Sequence, residues 1–262
     1  MNYSLRSIHK NTIIGKNVKI DPFTTINDNV EIGDNTWIAS NVTIMSGARI
    51  GNNCKIFPGA VISAIPQDLK FNNEESIAII GNNSIIRECV TVNRGTKATG
   101  KTIVGENCLI MAYAHIAHDC IIHNNAIVVN SCALGGHVTI GESAILGGLS
   151  AVHQFVNIGA HSIISGGSLV RKDVPPFVKA AKEPLRFVGI NSIGLERRGF
   201  SKHTINNIKE IYRTLFQSKL NNSDALNHIK NNFSDSSEKK EIINFYKQSG
   251  RGIMKGFSSL KK

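Results

Sequence analysis

The chain has no apolar run of membrane-spanning length, no CxxC pair, no secretory-type N-terminal stretch and no aromatic platform interleaved with its basic residues. Each absence removes a class. A spanning helix needs about 20 consecutive apolar residues, so no transmembrane segment is expected, and without a signal pattern the chain reads as cytoplasmic. Five cysteines lacking CxxC spacing argue against a thiolate metal site or a disulfide framework. The 30 lysines and arginines are scattered, and aromatics make up only 6% of the chain, so nucleic acid is not expected as a partner. Acidic residues number 19, which leaves a net charge of +11. That excess is either a solvated surface or an attraction for acidic partners: a diphosphate substrate, an acidic carrier protein or anionic headgroups.

What the chain does have is a six-residue beat. Isoleucines stand at 14, 20, 26, 32, 38, 44, 50, 56 and 62. The register returns at Ile80, Ile86 and Val92, then runs from Val104 through Ile110, Ile116, Ile122, Val128, Leu134, Ile140, Leu146, Val152, Ile158 and Ile164 to Val170. Two positions before each lies a smaller side chain, such as Thr24, Val30, Ala48, Cys54, Cys108, Ala114, Cys120 or Cys132. Residues i−2 and i of a strand share a face, so each hexad contributes one small and one large inward residue before a turn at Gly, Asn or Asp. A period of six is neither helical nor simple strand alternation; it is that of a parallel β-helix. Three hexads close an 18-residue coil, and the twenty-four hexads make about eight coils. Four of the five cysteines occupy the small inward position and are expected as buried thiols. Periodicity does not give handedness.

The register breaks twice, at AIPQDLKFNNEES (64–76) and at RGTKATGK (94–101), and resumes in phase each time. Both segments are expected to project as loops, the second being equally compatible with a disordered insertion. After Val174-Pro175-Pro176 the repeat disappears. A helix is predicted from a Ser201 N-cap, with Ile205, Ile208, Ile211, Tyr212, Leu215 and Phe216 at helical spacing. A second is predicted from Ser223, and a third holds Ile242, Ile243, Phe245 and Tyr246. The division expected is residues 1–184 for the solenoid with its two loops and 185–262 for a small α-helical domain covering one open end.

Positions sharing a remainder modulo 18 stack vertically. His115, His118, His137 and His153 leave 7, 10, 11 and 9, so they gather along one edge on consecutive coils. Asp119 and Gln154 join them, with Gly135-Gly136 alongside. Alone, each histidine is as well explained by a hydrogen bond within the stack. Four converging beside a carboxylate point to proton transfer near neutral pH or to a metal site.

The segments AYAHIAHDC (112–120), GGHVTIG, AVHQF, QDLK and RRGFS closely resemble the UDP-N-acetylglucosamine O-acyltransferases of lipid A biosynthesis, over nearly the whole chain. The resemblance implies an all-β left-handed parallel β-helix with a C-terminal α-helical domain, assembled as a homotrimer with sites between subunits. It implies transfer of an (R)-3-hydroxyacyl group from acyl carrier protein to the 3-OH of UDP-N-acetylglucosamine, with no cofactor and no metal. Carried residue by residue, it makes His118 the general base, Asp119 its orienting carboxylate and the Gly136 N–H the oxyanion donor. Gln67, Asp68 and Lys70 would reach the substrate from a neighbouring subunit. His115, His137, His153 and Gln154 would contact the sugar region, and Asn191, Arg197 and Arg198 the uridine and diphosphate. Gly166 matches the acyl-chain ruler, where a glycine leaves room for a longer chain. Two positions depart from the family pattern, Asn93 in place of histidine and Ile193 in place of an acidic residue.

Other readings of the same solenoid are a zinc hydratase of the carbonic anhydrase type, with three histidines on the metal, and a scaffold without chemistry. The N-acyltransferase of the same pathway is a further relative, but normally carries an extra N-terminal domain.

Overall fold

The computed structural model describes residues 5–218 and 220–256; the outer ends of the two expected units, 1–4 and 257–262, and Lys219 lie outside the described residues. The hexads form three parallel walls, most of their strands two residues long, each wall taking every third strand of the solenoid; the sheets hold nine, eight and eleven strands, the last including three strands from beyond the hexads. Pairing follows the expected coil length: Ile121–Ile122 pairs with Thr139–Ile140, and His115–Ile116 with Ala133–Leu134, 18 residues on. Across the first insertion the step lengthens to 30 (Val61 to Thr91), and across the second to 24 (Thr91 to His115). Each excursion therefore returns the chain to the same wall.

The inward pair is buried as its chemistry requires. Val42, Ile44, Cys54, Ile56, Ala60 and Ile62 have no exposure. All five cysteines are free and only Cys89 is exposed. Burial pushes the Cys120 thiol up to about 12, so it stays protonated and inert.

The two ends differ. In the first coils Ile13 and Ile14 remain 64% and 40% exposed. At the other end the chain does more than cover the stack. Val178–Ala181 adds to the sheet beside Ile163–Ile164, Arg186–Ile190 folds back antiparallel on it, and Lys255–Gly256 pairs beyond. These strands, beyond the last hexad, carry no six-residue signal. Arg186–Ile190, which a division at 184/185 places with the helices, is thus hydrogen-bonded into the solenoid's own sheet.

Four helices follow: α1 (Ser192–Arg197), α2 (Lys202–Gln217), α3 (Asn222–Asn232) and α4 (Ser237–Gln248). Ser201 caps α2, its hydroxyl accepting from the Thr204 N–H at 3.0 Å. α3 starts one residue before the predicted Ser223, because the Asn221 side chain accepts from the Asp224 N–H at 2.9 Å and makes the better cap. α2 buries Ile205, Ile208, Ile211, Tyr212 and Leu215, and the Tyr212 hydroxyl donates to the Pro176 carbonyl at 2.6 Å.

Candidate active site

Every coil turns its corners through left-handed backbone. At one corner the residues are Asp119, His137 and Phe155, with φ of 59°, 61° and 65°. Non-glycine residues reach this region at a cost of roughly 1–2 kcal/mol each, and here it aims three consecutive side chains off the same edge. The His118 and His137 rings are 5.3 Å apart and perpendicular, and His137 stacks on Phe155 at 4.5 Å. His118 Nδ1 lies 2.7 Å from Asp119 Oδ2, and His137 Nε2 lies 3.6 Å from the same oxygen. His118 and His137 are therefore neighbours on consecutive coils, as their spacing in the 18-residue repeat predicts.

The Asp119 side chain has no exposure. Its carboxylate accepts from the Thr96 N–H (3.1 Å), the Thr96 hydroxyl (2.7 Å) and the Thr99 hydroxyl. Burial works against its charge, yet the hydrogen bonds from Thr99, His118 and Thr96 outweigh it and hold the carboxyl below its ordinary range. The donors come from the second insertion. That segment is an ordered strap over the carboxylate, and the alternative of a disordered insertion is corrected. Because the strap carries the chain away from the wall, the Asp119 N–H donates to the Thr102 hydroxyl (2.8 Å).

An ionised Asp119 accepts a hydrogen bond from His118 Nδ1–H, which leaves Nε2 as the ring's acceptor. The Gly136 backbone lies directly beside it: a Cβ added there would stand 2.6 Å from both Nε2 and Cε1. A larger residue would push the ring off this position, and among the described residues the Gly136 N–H has no hydrogen-bond partner. His115 Nδ1 pairs with the Thr91 hydroxyl at 2.7 Å. Burial, then the neighbouring His118, lowers its pKa and favours the neutral ring.

His118, Asp119 and His137 offer three donor atoms within 4.8 Å of one another. As a metal centre the set fits poorly. Asp119 is already saturated by the strap and by His118, and the third candidate, His115, is tied to Thr91. Among the described residues of one chain no three-histidine set comes together.

The remaining expected residues are placed unevenly. His153 and Gln154 are exposed at the next turn of the same edge. Gln67 and Lys70 are exposed on the first loop, where Asp68 Oδ1 accepts from the Lys70 N–H at 3.0 Å. Among the described residues no hydrogen bond or ion pair joins this trio to the histidines within one chain. Asn191 is only 5% exposed and caps α1, its Oδ1 accepting from the Gly194 N–H and its Nδ2 donating to the His161 carbonyl. Arg197 is exposed, whereas Arg198 donates to the Ser143 carbonyl at 2.9 Å. Gly166 is exposed, and a Cβ there would lie 3.0 Å from the Gly148 carbonyl oxygen. Of the two departures, Asn93 is buried and donates to the Ile65 carbonyl at 3.1 Å, tying the two loops together, while Ile193 is 62% exposed. Thr96 and Thr99 were not singled out by sequence reasoning; no periodic signal marks a strap that returns to the wall.

Fold and site together define a class, the hexapeptide-repeat transferases built on a left-handed parallel β-helix. The bacterial transferase hexapeptide model matches residues 11–44, 29–64 and 101–136. A second model, described as UDP N-acetylglucosamine O-acyltransferase domain 2, matches residues 173–254. A curated relative from Chlorobaculum parvum, named as an acyl-acyl-carrier-protein–UDP-N-acetylglucosamine O-acyltransferase, is 51% identical over 97% of this chain and 100% of its own length. The crystal structure of the UDP-N-acetylglucosamine acyltransferase from Bacteroides fragilis superposes with a TM-score of 0.95 at 49% identity, covering 97% of this chain and 100% of that one. That from Acinetobacter baumannii gives 0.93 at 39% identity, covering 97% and 99%. The chain belongs to the UDP-N-acetylglucosamine O-acyltransferase family.

Proposed function

We propose that the protein transfers an (R)-3-hydroxyacyl group from acyl carrier protein to the 3-OH of UDP-N-acetylglucosamine, the first step of lipid A biosynthesis. The observation that carries the chemistry is the His118–Asp119 pair at 2.7 Å beside Gly136, where any Cβ would crowd the imidazole. A sugar hydroxyl is a poor nucleophile at neutral pH. His118 Nε2 takes its proton as the oxygen attacks the thioester carbonyl, and Asp119 holds the imidazolium that forms. The carbonyl oxygen becomes an oxyanion facing the unpaired Gly136 N–H. As the C–S bond breaks, the proton held on His118 passes to the departing thiolate, releasing the carrier thiol and the O-acyl sugar nucleotide. His115, His137, His153 and Gln154 line the sugar side. Arg197 supplies an exposed guanidinium suited to a diphosphate, with Arg198 and Asn191 behind it in more structural positions.

The reading includes a homotrimer, because among the described residues Gln67, Asp68 and Lys70 bond to no histidine of their own chain, as suits residues that serve a neighbour's site. It also includes a cytoplasmic setting; no helix among the described residues is long and apolar enough to cross a membrane. Gly166 sets the depth available to the acyl chain. The solenoid of residues 1–184 and the unit of 185–262 work as one body, joined where Arg186–Ile190 pairs with Val178–Ala181. The test is direct: incubate the protein with UDP-N-acetylglucosamine and 3-hydroxyacyl carrier proteins of graded length, and weigh the product. An acylated sugar nucleotide is expected, undiminished by a chelator; no product with any donor would overturn the assignment.

A further inference from the structure

The helical unit reaches back into the site through one residue. After α4 the chain runs along the solenoid, where Asp173, fully buried, fastens it. Asp173 Oδ2 accepts from the Ser249 hydroxyl (2.6 Å) and the Arg251 N–H (3.3 Å), and its backbone exchanges hydrogen bonds with Gly252 and Met254 at 3.0 Å each. So held, Arg251 lays its guanidinium on the turn that carries His153, Gln154 and Phe155. Nε donates to the Gln154 carbonyl at 3.0 Å, Nη2 lies 2.7 Å from His153 Nδ1, and the guanidinium carbon sits 5.9 Å from the Phe155 ring centre. Phe155 in turn stacks on His137.

A guanidinium can only donate. At 2.7 Å, His153 Nδ1 must therefore be the acceptor, which puts the ring proton on Nε2. The alternative is present in the same turn, since the Gln154 carbonyl stands 3.1 Å from His153 Nδ1 and would accept from an Nδ1–H. The two arrangements exclude each other. Arg251 occupies both groups at once, one prong on the carbonyl and one on the ring nitrogen, and so displaces the local pairing.

We propose that Arg251 is a positioning residue for the acyl transfer, inserted between His153 and the Gln154 carbonyl so that His153 Nδ1 accepts from it and the ring's Nε2–H is free to donate to substrate. The proposal rests on the assignment of this edge as the acyltransferase site. It gives the tail a part in the chemistry beyond covering the solenoid, and gives His153 a role distinct from the base: a donor to a substrate oxygen. Lysine would not serve, because a single ammonium lacks the fork that spans both partners.

The full-length protein labelled with 15N-histidine, with His153→Asn to assign the signal, reports which ring nitrogen carries the proton. In the wild type the acceptor nitrogen of His153 is expected to be Nδ1. Arg251→Met keeps an apolar stem near Phe155 and keeps the backbone N–H that Asp173 holds. It should invert the pattern to Nδ1–H and lower kcat by about tenfold to a hundredfold, as loss of a tautomer-setting partner does elsewhere, with KM for the sugar nucleotide changing less. Arg251→Lys should recover only part of either readout. Ser249→Ala, which weakens only the clamp, should lower Tm slightly and leave the nitrogen pattern as in the wild type. An Arg251→Met protein that is folded, keeps Nδ1 as acceptor and retains full kcat would overturn the proposal. The nitrogen pattern is read on the resting protein, so it stands or falls separately from the reaction: a wild type that makes no acylated sugar would instead sink the assignment of function.

Discussion

Two corners of the coil have the same backbone and opposite content. One carries Asn17, Asn35, Asn53, Asn83, Asn107 and Asn125 in left-handed conformation, then Ser143 and His161. The other carries Asn29 and Gly47 below, then Asp119, His137 and Phe155. Each asparagine from Asn35 onward donates its N–H to a carbonyl one coil back, as Asn125 does to Glu106 at 2.9 Å. Asparagine is enriched in this region, so the first corner is built from residues that tolerate it. At the second, an acid, an imidazole and a phenyl ring stand where asparagine would be easier. The backbone strain there is supported by the strap on Asp119, the His137–Phe155 stack and Arg251 above; the upper end of the first corner shares the ring stack, His161 on Phe177, but not the strap. Asparagine is not the rule at every turn, since the third corner carries Phe23, Cys89, Tyr113, Ser131 and Leu149 in left-handed conformation. At the Asp119 corner the departure aims side chains at one another, and the surroundings hold it in place.

The largest expected effect separates the corners by function. His118→Ala should reduce kcat by about 10²–10⁴-fold, with a modest fall in Tm because the buried Asp119 loses one of its partners. Asn125→Ala should leave kcat intact and lower stability by about 1–2 kcal/mol. Steady-state rates and thermal unfolding on both variants make the check. Two variants losing stability alone would erase the distinction.

Next comes the strap. Thr96→Val removes a buried hydroxyl from Asp119, and with Thr99→Val it leaves the carboxylate only the Thr96 N–H and His118. Losing partners of a buried charged group costs about 1–3 kcal/mol. Activity should drop about tenfold or more, because His118 is then less firmly held. An unchanged rate would show that the dyad needs no strap.

These threonines also show what the sequence conceals. The coil was legible because its information is arithmetic: isoleucines six apart fix the wall, and 18 residues fix the neighbour, which brought His118, His137 and Asp119 together on paper. An insertion obeys no such arithmetic. RGTKATGK leaves the wall as a polar segment, and nothing in it states that Thr96 and Thr99 return to a carboxylate 20 or more residues on. Arg251 is hidden for the same reason, reaching His153 across 98 positions through a tail without hexads. Asn191 shows the converse problem. Its amide suits a ligand, but it suits a helix cap equally, and the structure spends it on α1. The strands at Val178–Ala181 and Arg186–Ile190 were missed because pairing continued after the hexad beat had stopped.

A smaller effect is expected at Phe155. Asparagine there would relieve the left-handed backbone by roughly 1–2 kcal/mol but forfeit a ring stack on His137 worth about 0.5–1.5 kcal/mol. The two nearly cancel, so Tm of Phe155→Asn should stay within a few degrees of the wild type. Turnover should still fall severalfold, because His137 loses its support. A gain in Tm with full activity would mean the corner departs from asparagine for no functional reason.

The smallest effect is electrostatic and sharpens the same contrast by pH. His115 is held below its ordinary pKa, first by burial and then by His118. Its folded form binds a proton less readily than the unfolded chain, which takes one up near 6.5. Stability from this group is therefore fully present above about pH 6.5 and is lost as pH falls below it. Asp119 is also depressed, but its window lies lower, beginning near the ordinary carboxyl value of about 3.9. His115→Asn should flatten the Tm profile between about pH 6.5 and 5 and leave the steeper acid limb of Asp119 in place. On the asparagine corner Asn125→Ala should lower the whole curve without changing its slope, since no proton is involved. Thermal unfolding of the three proteins over that range decides it: a slope surviving in His115→Asn would assign the titration to another group along the edge.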